Sequence, residues 1–305
     1  RFLRRFRALE MRLAIASGKG GTGKTTVAVN LAACIPEPVM LLDCDVEEPN
    51  CHVFLSPEID RTERCTLPYP VVDDSRCTRC GACSALCQYN AIVSLKTRTM
   101  VFPELCHGCG GCAEICPERA ITEARREIGT ISAGSGRGLS FGQGLLDVGQ
   151  TMSPPLIRGV QRRAADEGTT ILDCPPGTSC PVITAVRGSD YVVLVAESSP
   201  FGLNDLKLAV ETMRLMGIPC GCVINRANPL ERRVADYCRQ ERIPVLAEIP
   251  EDRKAAEAYA RGLLLAEALP DFRERFENLY RRILEEISRR EAAAGDQPAY
   301  GGETA

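Results

Sequence analysis

The 305-residue chain is 45% hydrophobic and 25% charged, with 26 glycines, 20 prolines and a formal net charge of −3. That composition excludes a fibrous or disordered chain and offers no bulk positive charge to attract nucleic acid. The length leaves room for about two domains, and the longest apolar runs, Val192–Ala196 and Gly262–Ala266, fall far short of the roughly 18 residues of a membrane span.

The unusual count is 17 cysteines, beside no tryptophan and two histidines. Disulfide scaffolds are short and secreted, so clustered cysteines in a chain this long point to metal ligands in a reducing, cytoplasmic setting. The first ten residues, RFLRRFRALE, are rich in arginine, but no apolar stretch of ~7–15 residues follows them. A native start at Met11 is the expectation, with a targeting segment as the alternative.

Arg12–Ala16 reads as a short apolar strand, and Val27–Ala33 as a helix. Between them Gly18-Lys19-Gly20-Gly21-Thr22-Gly23-Lys24-Thr25-Thr26 fits G-x4-G-K-[ST], and strand, glycine-rich loop and helix in that order are the context a phosphate-binding loop requires. The glycines let backbone N–H groups approach phosphates, Lys24 reaches the outer phosphates, and Thr25 offers its hydroxyl to Mg²⁺. A second strand ends at Leu41-Leu42-Asp43-Cys44-Asp45. Asp45 is the candidate for positioning an attacking water, and the plainer reading is that it caps the strand end.

An internal repeat follows. Cys77, Cys80, Cys83 and Cys87 are repeated 29 residues later as Cys106, Cys109, Cys112 and Cys116, each set reading C-x2-C-x2-C-x3-C. That is the bacterial ferredoxin signature twice over. Three thiolates of one set wrap one face of a cubane, and the fourth is delivered to the other cluster. The expectation is therefore one [4Fe–4S] cluster on Cys77, Cys80, Cys83 and Cys116 and another on Cys106, Cys109, Cys112 and Cys87. Zinc, the alternative, is served by two separated C-x2-C knuckles and has no use for a third cysteine three residues on. Gln88 stands where proline usually closes the motif, and His107 reads as an outer partner of the ligands. Ala91–Val93 and Ala120–Thr122 suit the strands of a small unit spanning about 67–124, bounded by the Pro-bearing stretch Thr66–Pro70 and the charged stretch Glu123–Glu127.

Asp173 ends the apolar strand Thr169–Leu172 and begins DCPPG, which places a carboxylate at a strand's carboxyl end to hold the Mg²⁺ shell. Further alternation follows: Tyr191–Val195, Asn204–Gly217, Cys220–Ile224, Leu230–Gln240 and Pro244–Ile249. It predicts an α/β fold, a doubly wound and mostly parallel sheet with its ligand at the strands' carboxyl ends. The expected domains are a discontinuous nucleotide-binding unit (11–66 plus 125–290), the small α+β ferredoxin-like insert (67–124) and a disordered tail (291–305).

The Gly18–Thr26 loop resembles the deviant Walker A of the MinD/Mrp/ParA class, to which the nitrogenase iron protein also belongs. With the cysteine repeat, Asp173–Val182 and Val148–Ile157, the chain over about residues 11 to 270 resembles the MinD-superfamily P-loop ATPases that contain an inserted ferredoxin domain. The resemblance implies Mg-ATP as cofactor and hydrolysis of it. It also implies that Lys19 reaches across a nucleotide-sandwich dimer, homomeric or with a family member, to the partner's phosphates. By the same analogy Asp45 falls in switch I, Asp173 and Gly177 fall in switch II, and Asn225 recognises adenine.

Of the other cysteines, Cys34, Cys51, Cys65 and Cys238 read as small buried hydrophobes. Cys180 lies seven residues after Asp173, a spacing similar to that of one cluster ligand in the nitrogenase iron protein, but no cysteine between 117 and 173 supplies the second ligand such a bridge needs. Cys220 and Cys222 share a strand face. Phe272, Phe276, Leu279, Tyr280, Ile283, Leu284 and Ile287 recur at helical spacing. They predict a helix that caps the core, with a membrane-surface anchor as the lesser alternative. Three functions compete: ATP-gated electron transfer to a client protein, an Mrp-type iron–sulfur cluster carrier, and a MinD-like positioning switch. Full four-cysteine ligation ranks the first ahead.

Overall fold

The computed structural model describes residues 10–295; the Arg-rich start and the segment 296–305 lie outside the described residues. β1 (Met11–Ala16) is buried on both faces, as a strand at the middle of a two-sided sheet must be. Its side chains alternate: Leu13 and Ile15 enter one core, Ala14 and Ala16 the other. Parallel partners on either side are β8 (Thr169–Asp173) and β9 (Tyr191–Glu197). Beyond β8 lies β2 (Val39–Asp43), and beyond β9 lie β10 (Cys220–Ala227) and β11 (Val245–Pro250), all parallel.

Helices cover both faces. One core is closed by α1 (Lys24–Cys34), α10 (Leu265–Ala268) and α11 (Pro270–Gly295), and the other by α5 (Ser153–Gln161), α6 (Cys180–Val186), α7 (Pro200–Met216) and α8 (Arg233–Gln240). The doubly wound, mostly parallel sheet is thus as expected. α11 continues to Gly295, so the tail boundary at 291 falls inside the helix. Its apolar face is spent on the protein's own core, where Phe272, Phe276, Leu279 and Ile283 are buried against α1 and β11. Among the described residues no helix is long and apolar enough to cross a membrane. Ile283→Ala is expected to cost about 2–5 kcal/mol in chemical denaturation. An Ile283 facing solvent or lipid would leave the midpoint nearly unmoved.

The cysteine-rich insert departs from its expected boundaries. β3 (Glu58–Val72) and β6 (Ile121–Gly136) form one long antiparallel ribbon, and β6 continues into β7 (Leu139–Leu146), which pairs with β2. One nine-stranded sheet therefore runs from β11 to β3. Thr66–Pro70 and Glu123–Glu127 do not bound the insert; they are ladder partners inside the ribbon, Pro68 opposite Arg125 and Pro70 opposite Glu123. The prolines are tolerated because β3 is the sheet's edge, where a missing N–H leaves no partner unpaired. Beyond the ribbon sit α3 (Ala82–Leu86), the hairpin of β4 (Ile92–Ser94) and β5 (Thr99–Val101), and the short α4 (Gly111–Glu114).

Candidate functional site

The loop leaving β1 turns into α1 through Gly23, whose φ of 92° is a left-handed conformation open to glycine. A side chain there would also collide with the amide of Asn225. That amide donates to Thr22 O at 2.8 Å, tying the end of β10 to the loop. A cleft opens over this corner, lined by Gly20, Gly21, Gly23, Lys24, Thr25 and Thr26 of the loop and by Asp45 and Asn225. These are the sequence candidates that the fold brings together.

Gly18, Lys19, Thr22 and Gly177 are predicted residues that do not line the cleft. Lys19 Nζ is 3.1 Å from Glu197 Oε2 and is absent from the cleft lining. Glu197 also accepts from Arg226 at 2.6 Å, so it gathers two cations. Gly18 packs against the Asp205 backbone. Gly177 donates its N–H to Ser17 O at 3.0 Å, which joins the turn after β8 to the start of the loop.

Under the cleft the carboxyl ends of β2 and β8 lie in register, with Asp43 opposite Asp173. Both are fully buried. Thr25 Oγ1 donates to Asp173 Oδ2 at 2.7 Å. Asp43 accepts backbone N–H bonds from Asn50 and Cys51, each 2.9 Å. Burial, with the like charge of Asp173 added, still pushes Asp43 up to about 8. Asp173 is raised by burial and eased by the Thr25 hydroxyl and Lys24. At Asp45 burial outweighs the attraction of Lys24 and lifts the carboxyl to about 7.

Asp173 Oδ1 and Thr22 Oγ1 are buried with no hydrogen-bond partner. A dry pair of carboxylates beside one ammonium, with an orphaned oxygen, fits a divalent cation, and the N–H-rich loop above fits phosphate. Mg²⁺ with a nucleotide would satisfy both demands, and Thr25 and Asp173 are the residues that could hold the metal. Sequence reasoning passed over Asp43, the first acid of its D-x-D, although it ends the strand that the chosen Asp45 follows. Cys51 also departs from its reading as a plain hydrophobe. It opens α2 (Cys51–Leu55) with its thiol 3.4 Å from Asp173 Oδ2, a contact that no spacing in the sequence signals.

The cysteine sets form a second locus. One small cavity is lined by Cys77, Cys80, Cys83 and Cys116. A larger one is lined by Cys87, Cys106, Cys109 and Cys112, and Cys83 lines it as well. All 17 cysteines are free. Backbone N–H groups of Gly108 and Ala120 donate to Cys106 Sγ at 3.4 Å and Cys116 Sγ at 3.3 Å. His107 stacks on Tyr89 with ring centroids 3.4 Å apart, at the rim of the larger cavity. Cys180 is exposed at the start of α6, whereas Cys220, Cys222 and Cys238 are buried.

Comparison with known proteins places this geometry. An uncharacterized Methanocaldococcus jannaschii protein, MJ0578, is 32% identical over 91% of this chain and 98% of its own length. An iron-sulfur cluster carrier protein of Pyrococcus horikoshii is 24% identical over 83% of this chain and 78% of its own. The solved septum site-determining protein MinD from Pyrococcus horikoshii, complexed with Mg-ADP, matches with a TM-score of 0.56 at 18% identity, over 95% of this chain and 100% of that one; at such identity the likeness is one of fold. The model of the CobQ/CobB/MinD/ParA nucleotide binding domain matches residues 13–265, and the chain belongs to that family of P-loop nucleotide-binding proteins.

Proposed function

We propose that this protein is an ATP-hydrolysing iron–sulfur protein whose nucleotide state gates electron transfer from two [4Fe–4S] clusters to a client protein. The observation that carries the reading is that eight cysteines line two cavities, each bringing three thiols of one repeat beside the fourth of the other, with Cys83 on both. A [4Fe–4S] cluster bound in each supplies low-potential one-electron chemistry. The chain's part is to hold it with four thiolates, to donate the Gly108 and Ala120 N–H groups to ligand sulfurs, and to cover one side with the Tyr89–His107 stack.

Gating needs a physical route from nucleotide to cysteines, and the sheet offers one. Asp45 is followed by Val46, whose carbonyl accepts from Leu146 N at 2.8 Å. Next to Leu146, Asp147 holds Arg64 of β3, the strand that leads into the insert. Pro68, four residues further along β3, has its carbonyl oxygen 3.8 Å from Cys106 Sγ. A shift of the Asp45 segment on hydrolysis would thus bear on the ribbon. At the phosphates Lys24 and the loop N–H groups stabilise charge, Thr25 and Asp173 hold the metal side, and Asp45 orients the water.

Dimer closure releases Lys19 from Glu197 toward a partner's phosphates, the partner being a second copy or a family member. Lys19→Ala should therefore retain nucleotide binding by the single chain and lose ATP-dependent dimerisation, read by light scattering with a non-hydrolysable analogue.

The cluster-carrier reading is favoured by the 24% identical carrier of Pyrococcus horikoshii. Anaerobic incubation with an apo-acceptor separates the two. Gated electron transfer predicts that iron and sulfide stay with this chain with or without MgATP, and ATP-dependent transfer of both to the acceptor would replace it with delivery.

A further inference from the structure

We propose that the nucleotide-free protein binds a borderline-soft divalent cation, of the Zn²⁺, Fe²⁺ and Co²⁺ class, through Asp43, Cys51 and Asp173, and that this cation and Mg-nucleotide exclude one another. The inference concerns the nucleotide site of the family fold and does not rest on the presence of clusters in the insert. Three observations carry it: ligand spacing, an orphaned buried oxygen, and a thiol that Mg²⁺ has no use for.

One ligand atom from each of the three residues lies within 4.8 Å of the other two, and all three residues are buried. In a tetrahedral site with metal–sulfur and metal–oxygen bonds of about 2.3 and 2.0 Å, the sulfur–oxygen edge is about 3.5 Å. Cys51 Sγ already stands 3.4 Å from Asp173 Oδ2. Asp43 is fixed from below by N–H bonds from Asn50 and Cys51 itself, so the backbone that carries the thiol also orients the carboxylate. Asp173 is 1% exposed, and its Oδ1 has no hydrogen-bond partner. The fourth position falls to the Thr25 hydroxyl, 2.7 Å from Asp173 Oδ2, or to a water.

Ligand chemistry then selects the metal. Mg²⁺ demands oxygen ligands, so a thiol buried between its carboxylates gives it nothing. Thiolate with two carboxylates suits a softer divalent ion. Binding takes the proton from the Cys51 thiol and the one that burial keeps on Asp43, and releases both to solvent. Two carboxylates and one thiolate then offset the dication and the neighbouring Lys24 ammonium. Exclusion follows from shared groups. The cation takes Asp173, which the Mg²⁺ side of a nucleotide would also use, away from Thr25 and pins the start of α2 to the end of β8.

The test uses the full chain, anaerobic and free of nucleotide, with Co²⁺ alone as the probe. Tetrahedral thiolate-bound Co²⁺ gives intense visible d–d bands and a sulfur-to-cobalt charge-transfer band. Comparison of wild type with Cys51→Ala cancels any cobalt held by the eight cysteines of the insert. The expected result is one equivalent of thiolate-bound cobalt present in the wild type and lost in Cys51→Ala, an affinity loss exceeding the 10–100-fold that outer partners of metal ligands cost. MgADP should displace that equivalent from the wild type. Cys51→Ser, which keeps the side-chain volume, should lose the charge-transfer contribution as well, and a cooperative thermal melt confirms that each variant is folded. Equal thiolate-bound cobalt in wild type and both variants overturns the site. Cobalt lost with Cys51 but undisturbed by MgADP overturns the exclusion.

Discussion

Replacing Cys116 with alanine is expected to remove the cluster of Cys77, Cys80 and Cys83, and to spare the one that Cys106 and Cys109 hold. Cys87→Ala should do the reverse. In each variant iron falls from about eight to about four per chain, because a [4Fe–4S] cubane held by three of its four thiolates is prone to loss. The expectation rests on which cavity each fourth cysteine lines: Cys116 stands with the first repeat, and Cys87 with the second. The check is iron and sulfide analysis together with EPR of the reduced protein. Cys116→Ala should match the spectrum of Cys80→Ala. A match to Cys109→Ala would mean that each repeat keeps its own four ligands.

The second large effect is at Lys24. Lys24→Ala should lower kcat for ATP hydrolysis by about 10²–10³, the usual cost of removing one preorganised charge at a transferring phosphoryl group. Lys24 is 6% exposed and is the cation that eases both Asp45 and Asp173. Its loss leaves those carboxylates without compensation, and protonation relieves them, so the fold should persist. Asp45→Asn separates the roles. It keeps Lys24 over the phosphates and removes only the group that orients water, so nucleotide affinity should be near that of wild type while kcat falls. A Lys24→Ala protein with unchanged kcat would contradict the placement of the phosphates.

How much of this was legible in sequence follows from the range of the interactions. The strand, loop and helix around Lys24 are local, so apolar periodicity and glycine spacing were enough to announce them. The cysteine repeat was legible because its spacing is written within two short segments of the chain itself. The ribbon was not: Thr66–Pro70 carries two prolines and reads as a break, and only an edge position in the finished sheet makes those prolines compatible with a strand. Asp43 could be read as the end of a strand, but its role depends on the register of β2 against β8, residues 130 apart in sequence. Cys51 is the extreme case. It is buried like any apolar cysteine, and only folding brings its thiol to Asp173. Lys19 shows the converse: its motif position is plain, and the side chain is held by Glu197, which no local pattern points to.

The central claim is that nucleotide and clusters share a coupling free energy, and an anaerobic EPR redox titration tests it most directly. It is run without nucleotide, with MgADP and with a non-hydrolysable MgATP analogue. For a one-electron couple about 59 mV corresponds to a tenfold change in equilibrium, so a coupling of the size common between linked sites is readily seen. Gated electron transfer predicts midpoint potentials that differ by at least about that much between the ATP-analogue and ADP forms. Identical midpoints in all three states would contradict it.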